Sequence, residues 1–103
     1  MHGNDAQLLV LTVLAAGEQH GYAINTAIKE LTGTRLGPGS LYGALARLEA
    51  RQLIESSGAP VGPRDRQRTV RITAAGRETL RAELELMARV SQAGLGALGT
   101  APA

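Results

Sequence analysis

The chain has no cysteine, no tryptophan and no phenylalanine, and Lys29 is the single lysine among eleven basic side chains. Without cysteine there are no disulfides, no thiol-based sensing and no cysteine-containing zinc site. Tyr22 and Tyr42 are the only aromatic residues, so a core must be assembled from Leu, Ile, Val and Ala. The longest apolar run, Leu8 to Ala16, is interrupted by Thr12 and falls far short of the roughly 20 residues that span a bilayer. It follows Asp5 rather than a cationic segment, which argues against a signal peptide. The two histidines stand at positions 2 and 20, and there is no phosphate-loop motif and no carboxylate pair suited to acid–base work. These absences point to a cytoplasmic protein with no membrane association, no cofactor, no metal and no enzymatic activity.

What is present fits a small folded domain. One hundred and three residues with 44% apolar content can bury a modest core, and a core this small often gains stability from a partner subunit. The net charge is only +2, but it is unevenly distributed. Residues 1 to 34 sum to −2 (Lys29 against Asp5, Glu18 and Glu30) and residues 72 to 103 sum to zero. Residues 35 to 71 sum to +4, seven arginines against Glu49, Glu55 and Asp65.

Within that basic stretch, Leu36 to Ser57 places a turn, a two-faced helix and a strand in succession. Gly37, Pro38 and Gly39 suit a tight turn, and Ser40 can cap a helix beginning near residue 40 and closing near Arg51. Leu41, Leu45 and Leu48 fall at helical spacing with Ala44 beside them, the pattern of a buried stripe. The other face carries Ser40, Tyr42, Gly43, Ala46 and Arg47. That face is small, polar or cationic, and would let a backbone approach a groove wall or a phosphate. Taken alone, it fits an ordinary amphipathic helix with a solvated face better than a DNA-reading one, so its neighbours must decide.

Upstream, Asn4 or Asp5 can cap a first helix that runs to about Ala16 and stops at Gly17. Leu8, Leu9, Val10, Leu11, Val13 and Leu14 occupy nearly every side of it, which predicts burial on more than one face, one of them against another subunit. A second helix is expected from about Tyr22 to Leu31. Downstream, Leu53 to Ser57 and Thr69 to Thr73 read as two strands, the second alternating Val70 and Ile72 inward with Arg71 outward. The connection between them is rich in Gly and Pro and carries Arg64, Arg66 and Arg68 at alternate positions, which projects them from one side of an extended hairpin. Thr73 can cap a last helix from Ala74 to around Ala93, where Leu80, Leu84, Met87 and Val90 form a stripe that Ser91 ends. Glu78, Arg81, Glu85 and Arg89 on the opposite face can pair along the helix. The Gly/Ala/Pro-rich residues 94 to 103 are expected to form a disordered tail.

The predicted fold is mostly α with a small β-hairpin: a winged helix-turn-helix over residues 1–73 followed by a C-terminal dimerisation helix over 74–93. In HGYAI (His20 to Ile24), PGSLYGALARLE (Pro38 to Glu49), LIES (Leu53 to Ser56) and RITAAGRE (Arg71 to Glu78), the chain resembles the short form of the PadR family of bacterial transcriptional regulators. The resemblance covers about residues 5 to 91. It implies that the helix holding Ser40, Tyr42 and Arg47 is a recognition helix, that the arginine-rich hairpin is the wing and that the last helix pairs in a homodimer. The chain departs from the family where Leu36 replaces an aromatic residue, Gly43 a proline and Gln52 a glycine. With neither Trp nor Phe, it also lacks the side chains with which some relatives stack planar compounds between subunits.

The expected function is therefore sequence-specific binding of double-stranded DNA by a homodimer acting as a repressor, with relief by a small-molecule effector as a further expectation. The DNA-binding set is Gly39, Ser40, Tyr42, Gly43, Arg47, Arg64, Arg66 and Arg68. Of these, Arg47 is the candidate for a base edge, since arginine can meet guanine O6 and N7 together. The dimer set is Leu8, Leu11, Leu80, Leu84, Met87 and Val90. Tyr22 is expected to anchor the core or an interface, and His20 to make a local structural hydrogen bond. The alternative is a protein-interaction adaptor that keeps the winged-helix scaffold without binding DNA.

Overall fold

The computed structural model describes residues 3–57 and 68–99. The elements are α1 (Gly3–Ala15), β1 (Gln19–His20), α2 (Gly21–Thr32), α3 (Pro38–Ala50), β2 (Ile54–Ser56), β3 (Thr69–Ile72) and α4 (Ala74–Leu98). Among the described residues no helix is long and apolar enough to cross a membrane.

Helix α1 is the central element, touching α2, α3, α4 and β3. Its Ala6, Val10, Leu11, Val13 and Leu14 are all buried within the chain, with Leu8 and Leu9 half-buried against the same core. A helix that is apolar nearly all round thus finds most of its faces covered within the chain, while Leu8, Leu9 and Ala15 stay half-exposed. Asn4 and Asp5, the expected caps, fall within this helix, which begins at Gly3. Ile24 and Ile28 of α2, Leu41, Ala44, Leu45 and Leu48 of α3, and Leu53, Ile54, Val70 and Ile72 of the sheet region complete the core.

The sheet has three antiparallel strands in the order β1-β3-β2, not the two of a simple hairpin. Ile54, Glu55 and Ser56 oppose Ile72, Arg71 and Val70, and Gln19 and His20 oppose Val70 and Thr69 on the other edge of β3. The two residues of β1 are too few to show an alternation. They are held because β3 offers unpaired backbone groups there, and the Gly21 N–H extends the ladder by donating to Arg68 O at 2.9 Å. Val70 and Ile72 point inward and Arg71 outward, as the alternation predicts.

Helix termini account for most of the local geometry. Gly33, in the left-handed region at φ 88°, closes α2 with its N–H on Lys29 O. The expected tight turn at Gly37, Pro38 and Gly39 is the first turn of α3: Gly37 is the N-cap and Pro38 stands at the first helical position, where its missing N–H costs nothing. Ser40 therefore lies inside the helix and does not cap it.

At the other end of α3, Gln52 N–H donates to Glu49 O at 3.0 Å and Leu53 N–H to Leu48 O at 2.9 Å. This paired closure puts Gln52 at φ 60° and buries Leu53 beside Leu48. Thr73 caps α4, its Oγ1 accepting from Gly76 N at 3.0 Å while donating to Gln52 O at 2.8 Å. Helix α4 continues to Leu98, five residues past the expected end at Ala93, so residues 94–98 are helical rather than a disordered tail. Residues 100–103 lie outside the described residues.

Candidate nucleic-acid interface

Helix α3 is a two-sided element. Leu41, Ala44, Leu45 and Leu48 are at most 5% exposed and lock one side into the core. Gly39, Ser40, Ala46 and Arg47 are exposed on the other, with Tyr42 and Gly43 half-buried at its margin. A Cβ built at Gly43 would lie 3.4 Å from Arg47 Nη1. The Arg47 guanidinium thus lies back over Gly43, one turn toward the helix N-terminus, the end from which recognition helices reach bases. At Gly39 a Cβ would meet nothing within 4 Å, so the surface there is open.

Two devices fix this helix relative to its neighbours. Ser56 Oγ donates to Glu49 Oε2 at 2.7 Å, tying β2 to the end of α3. Asn25 of α2 spans the turn before α3: its Nδ2 donates to Leu36 O at 2.7 Å and its Oδ1 accepts from Leu36 N at 2.8 Å. With both ends of its amide used on one backbone unit, Asn25 sets the angle between α2 and α3. Nothing in its sequence position marks it, because asparagine on the polar side of a helix is ordinary.

The arginines of the basic stretch divide by occupation. Arg51 Nη1 donates to Gln7 Oε1 at 2.6 Å, and Arg71 forms an ion pair with Glu55 at 2.8 Å. Arg68 does not project outward as the alternating spacing predicts. It is half-buried, and its Nε and Nη2 donate to Ser57 O at 2.6 Å and Ser56 Oγ at 3.1 Å, which staples the base of the hairpin. Arg64 and Arg66 lie outside the described residues. Arg35 and Arg47 remain, both exposed and without a side-chain partner among the described residues. One immediately precedes the turn before α3 and the other is on that helix.

The dimer set divides in the same way. Leu11 and Leu80, 3% and 5% exposed, belong to the protomer's own core. Leu8 is half-buried, whereas Leu84, Met87 and Val90 are exposed on the part of α4 that stands beyond the body. The added helical residues continue the stripe past Ser91 with exposed Leu95 and Leu98. Tyr22 is not in the core: it is 56% exposed and its ring stacks on His20, centroids 5.6 Å apart. Among the described residues no group of three or more His, Cys, Asp or Glu is placed to hold a metal ion.

A core-locked helix with a small cationic face, followed by an antiparallel hairpin and a long terminal helix, is the arrangement of a winged helix. The sequence profile of the PadR-like transcriptional regulator family matches residues 10–82. The chain belongs to this family. A PadR-like transcriptional regulator from Bacillus cereus superposes with a TM-score of 0.77 at 24% identity, over 95% of this chain and 95% of that one. A putative transcriptional regulator from Thermoplasma acidophilum gives a TM-score of 0.71 at 26% identity, over 96% of this chain and 95% of that one. This PadR-like chain is also 58% identical, over 91 residues and 88% of its length, to an uncharacterized 37.1 kDa protein in transposon Tn4556 of Streptomyces fradiae. It spans about a quarter (25%) of the length of that curated relative. The family and its structural neighbours are transcriptional regulators, not enzymes.

Proposed function

We propose that this PadR-like regulator binds DNA sequence-specifically as a homodimer and represses transcription from a pseudo-palindromic operator. The observation that carries the reading is the division of arginines. Three of the five described arginines in the basic stretch are spent on the fold, and Arg35 and Arg47 are left to solvent at the recognition helix. Arg47, lying over Gly43, reads a base edge, while Ser40 and Tyr42 position the helix on phosphate. Arg64 and Arg66 hold the wing against the adjacent backbone or minor groove. Arg68 supports them from the base of the hairpin.

The exposed stripe of Leu84, Met87 and Val90, extended by Leu95 and Leu98, is the surface through which α4 pairs with its mate. Two-fold pairing sets two recognition helices in successive major grooves about 34 Å apart. Relief by a small molecule is the finer part of the proposal. It is supported by an open groove of about 370 Å³ between α1 and α4, with an apolar floor of Ala15, Leu80, Leu84 and Ala88 rimmed by Arg77, Arg81 and Glu85, which a second subunit would close.

The test is selection of bound duplexes from a random pool, with the native protein and with Arg47→Ala. The native protein should yield a palindrome with half-sites one helical turn apart, and Arg47→Ala should lose preference at one position of each half-site. No enrichment by the native protein would end the repressor reading in favour of an adaptor.

A further inference from the structure

The chain has only two tyrosines, and both line one open depression. It measures about 390 Å³ between α2 and α3 and is lined also by Asn25, Arg35, Pro38 and Leu41. In a protein so short of aromatic surface, the hydrophobic effect would be expected to draw both rings into the core. Tyr42 is half-buried against the core, but Tyr22 is 56% exposed. Arg35 stands exposed in the same depression, with no acidic side chain among the lining residues to neutralise it. The depression is also rigid, because the double hydrogen bond from Asn25 fixes the backbone of Leu36, immediately after Arg35.

We propose that Tyr22, Arg35 and Tyr42 form a pad that grips one phosphate and its sugar on the DNA backbone, flanking the groove entered by α3. This rests on the DNA-binding reading above and extends its footprint onto α2 and the turn. Arg35 supplies the charge, the two phenol hydroxyls donate to phosphate oxygens, and the Tyr42 ring and the face of Tyr22 not stacked on His20 cover the deoxyribose. The geometry suits a backbone strand because the first helix of a helix-turn-helix crosses the backbone while the second enters the groove. A contact of this kind fixes position and orientation and carries no base information.

The experiment titrates salt against binding of the selected duplex and of a random duplex, with the native protein, Arg35→Gln, Arg35→Lys and Tyr22→Phe. Arg35→Gln should weaken both duplexes by about tenfold for each half-site, about a hundredfold for the dimer, the scale of one charge-assisted hydrogen bond per half-site. It should also lower the slope of log affinity against log salt by about 0.9 for each half-site. Arg35→Lys should retain that slope, and Tyr22→Phe should weaken binding severalfold with the selected sequence unchanged. The side chains of Arg35 and Tyr22 are exposed, so thermal unfolding should match the native protein's. Unchanged affinity and slope in Arg35→Gln would overturn the pad while leaving DNA binding intact, and so would a changed sequence preference in that variant. If the native protein binds neither duplex, the DNA-binding reading fails and the pad fails with it.

Discussion

Helix α4 allows one substitution to be made twice with opposite expected signs. Gly76, in its first turn, faces the backbone of Leu53: a Cβ there would overlap the Leu53 carbonyl oxygen and lie 2.7 Å from Ile72 Cγ1 and 3.1 Å from the Leu53 carbonyl carbon. Neither neighbour can yield easily, since Leu53 O accepts from Thr73 N at 3.0 Å and Ile72 is buried. Gly76→Ala must therefore push α4 away from the end of α3. The overpacking itself costs about 1–3 kcal/mol. Displacing the Thr73 cap and the Thr73–Leu53 bond costs about 1 kcal/mol each. The gain in helix propensity returns about 1 kcal/mol, leaving a net loss of about 2–4 kcal/mol.

Gly94 lies in the same helix with nothing within 4 Å of a built Cβ, so Gly94→Ala should stabilise by about 1 kcal/mol. Urea and thermal unfolding followed by circular dichroism, at one fixed protein concentration because any self-association would shift the midpoint, read both variants. At about 4–8 °C per kcal/mol for a domain of this size, the Gly76→Ala melting temperature should fall by roughly 8–32 °C. A Gly76→Ala protein as stable as the native one would refute the packing described for the α3–α4 junction.

Two other outcomes follow from particular residues. At Gln52, held at φ 60°, Gln52→Gly should be neutral or stabilise by about 0.5 kcal/mol, whereas Gln52→Val should cost about 1–2 kcal/mol; equal stability of the two would show that the left-handed closure of α3 is not required in solution. Leu84→Glu combined with Met87→Glu, at positions 40% and 48% exposed in the protomer, should leave the fold intact and give a monomer by light scattering at micromolar concentration, and a variant that remains dimeric would move the interface elsewhere.

Much of the fold could be read from the chain because periodicity reports burial directly. The spacing of Leu41, Leu45 and Leu48 located the core side of α3, and that of Val70 and Ile72 the inner side of β3. The capping role of Thr73 and the family itself were legible too, the latter because several weak motifs occurred together in order. Charge density along the chain likewise pointed to the segment that holds the candidate site.

Tertiary structure decided which of several chemically equal residues are free to act. Arg47, Arg51, Arg68 and Arg71 look alike in sequence, and only the positions of Gln7, Ser56, Ser57 and Glu55 around them separate fold-holding from solvent-facing guanidinium groups. The apolar residues of α1 divide between those the protomer's own core buries, Val10, Leu11, Val13 and Leu14, and those it leaves half-exposed, Leu8 and Leu9, and only the packing tells them apart. The same holds for the third strand, for Asn25 as the clamp of the turn, and for the meeting of both tyrosines with Arg35. Local sequence sets periodicity, caps and net charge, because these depend on neighbours a few residues away. Partner choice for an arginine or an aromatic ring depends on groups brought near from distant parts of the chain, and the fold alone supplies them.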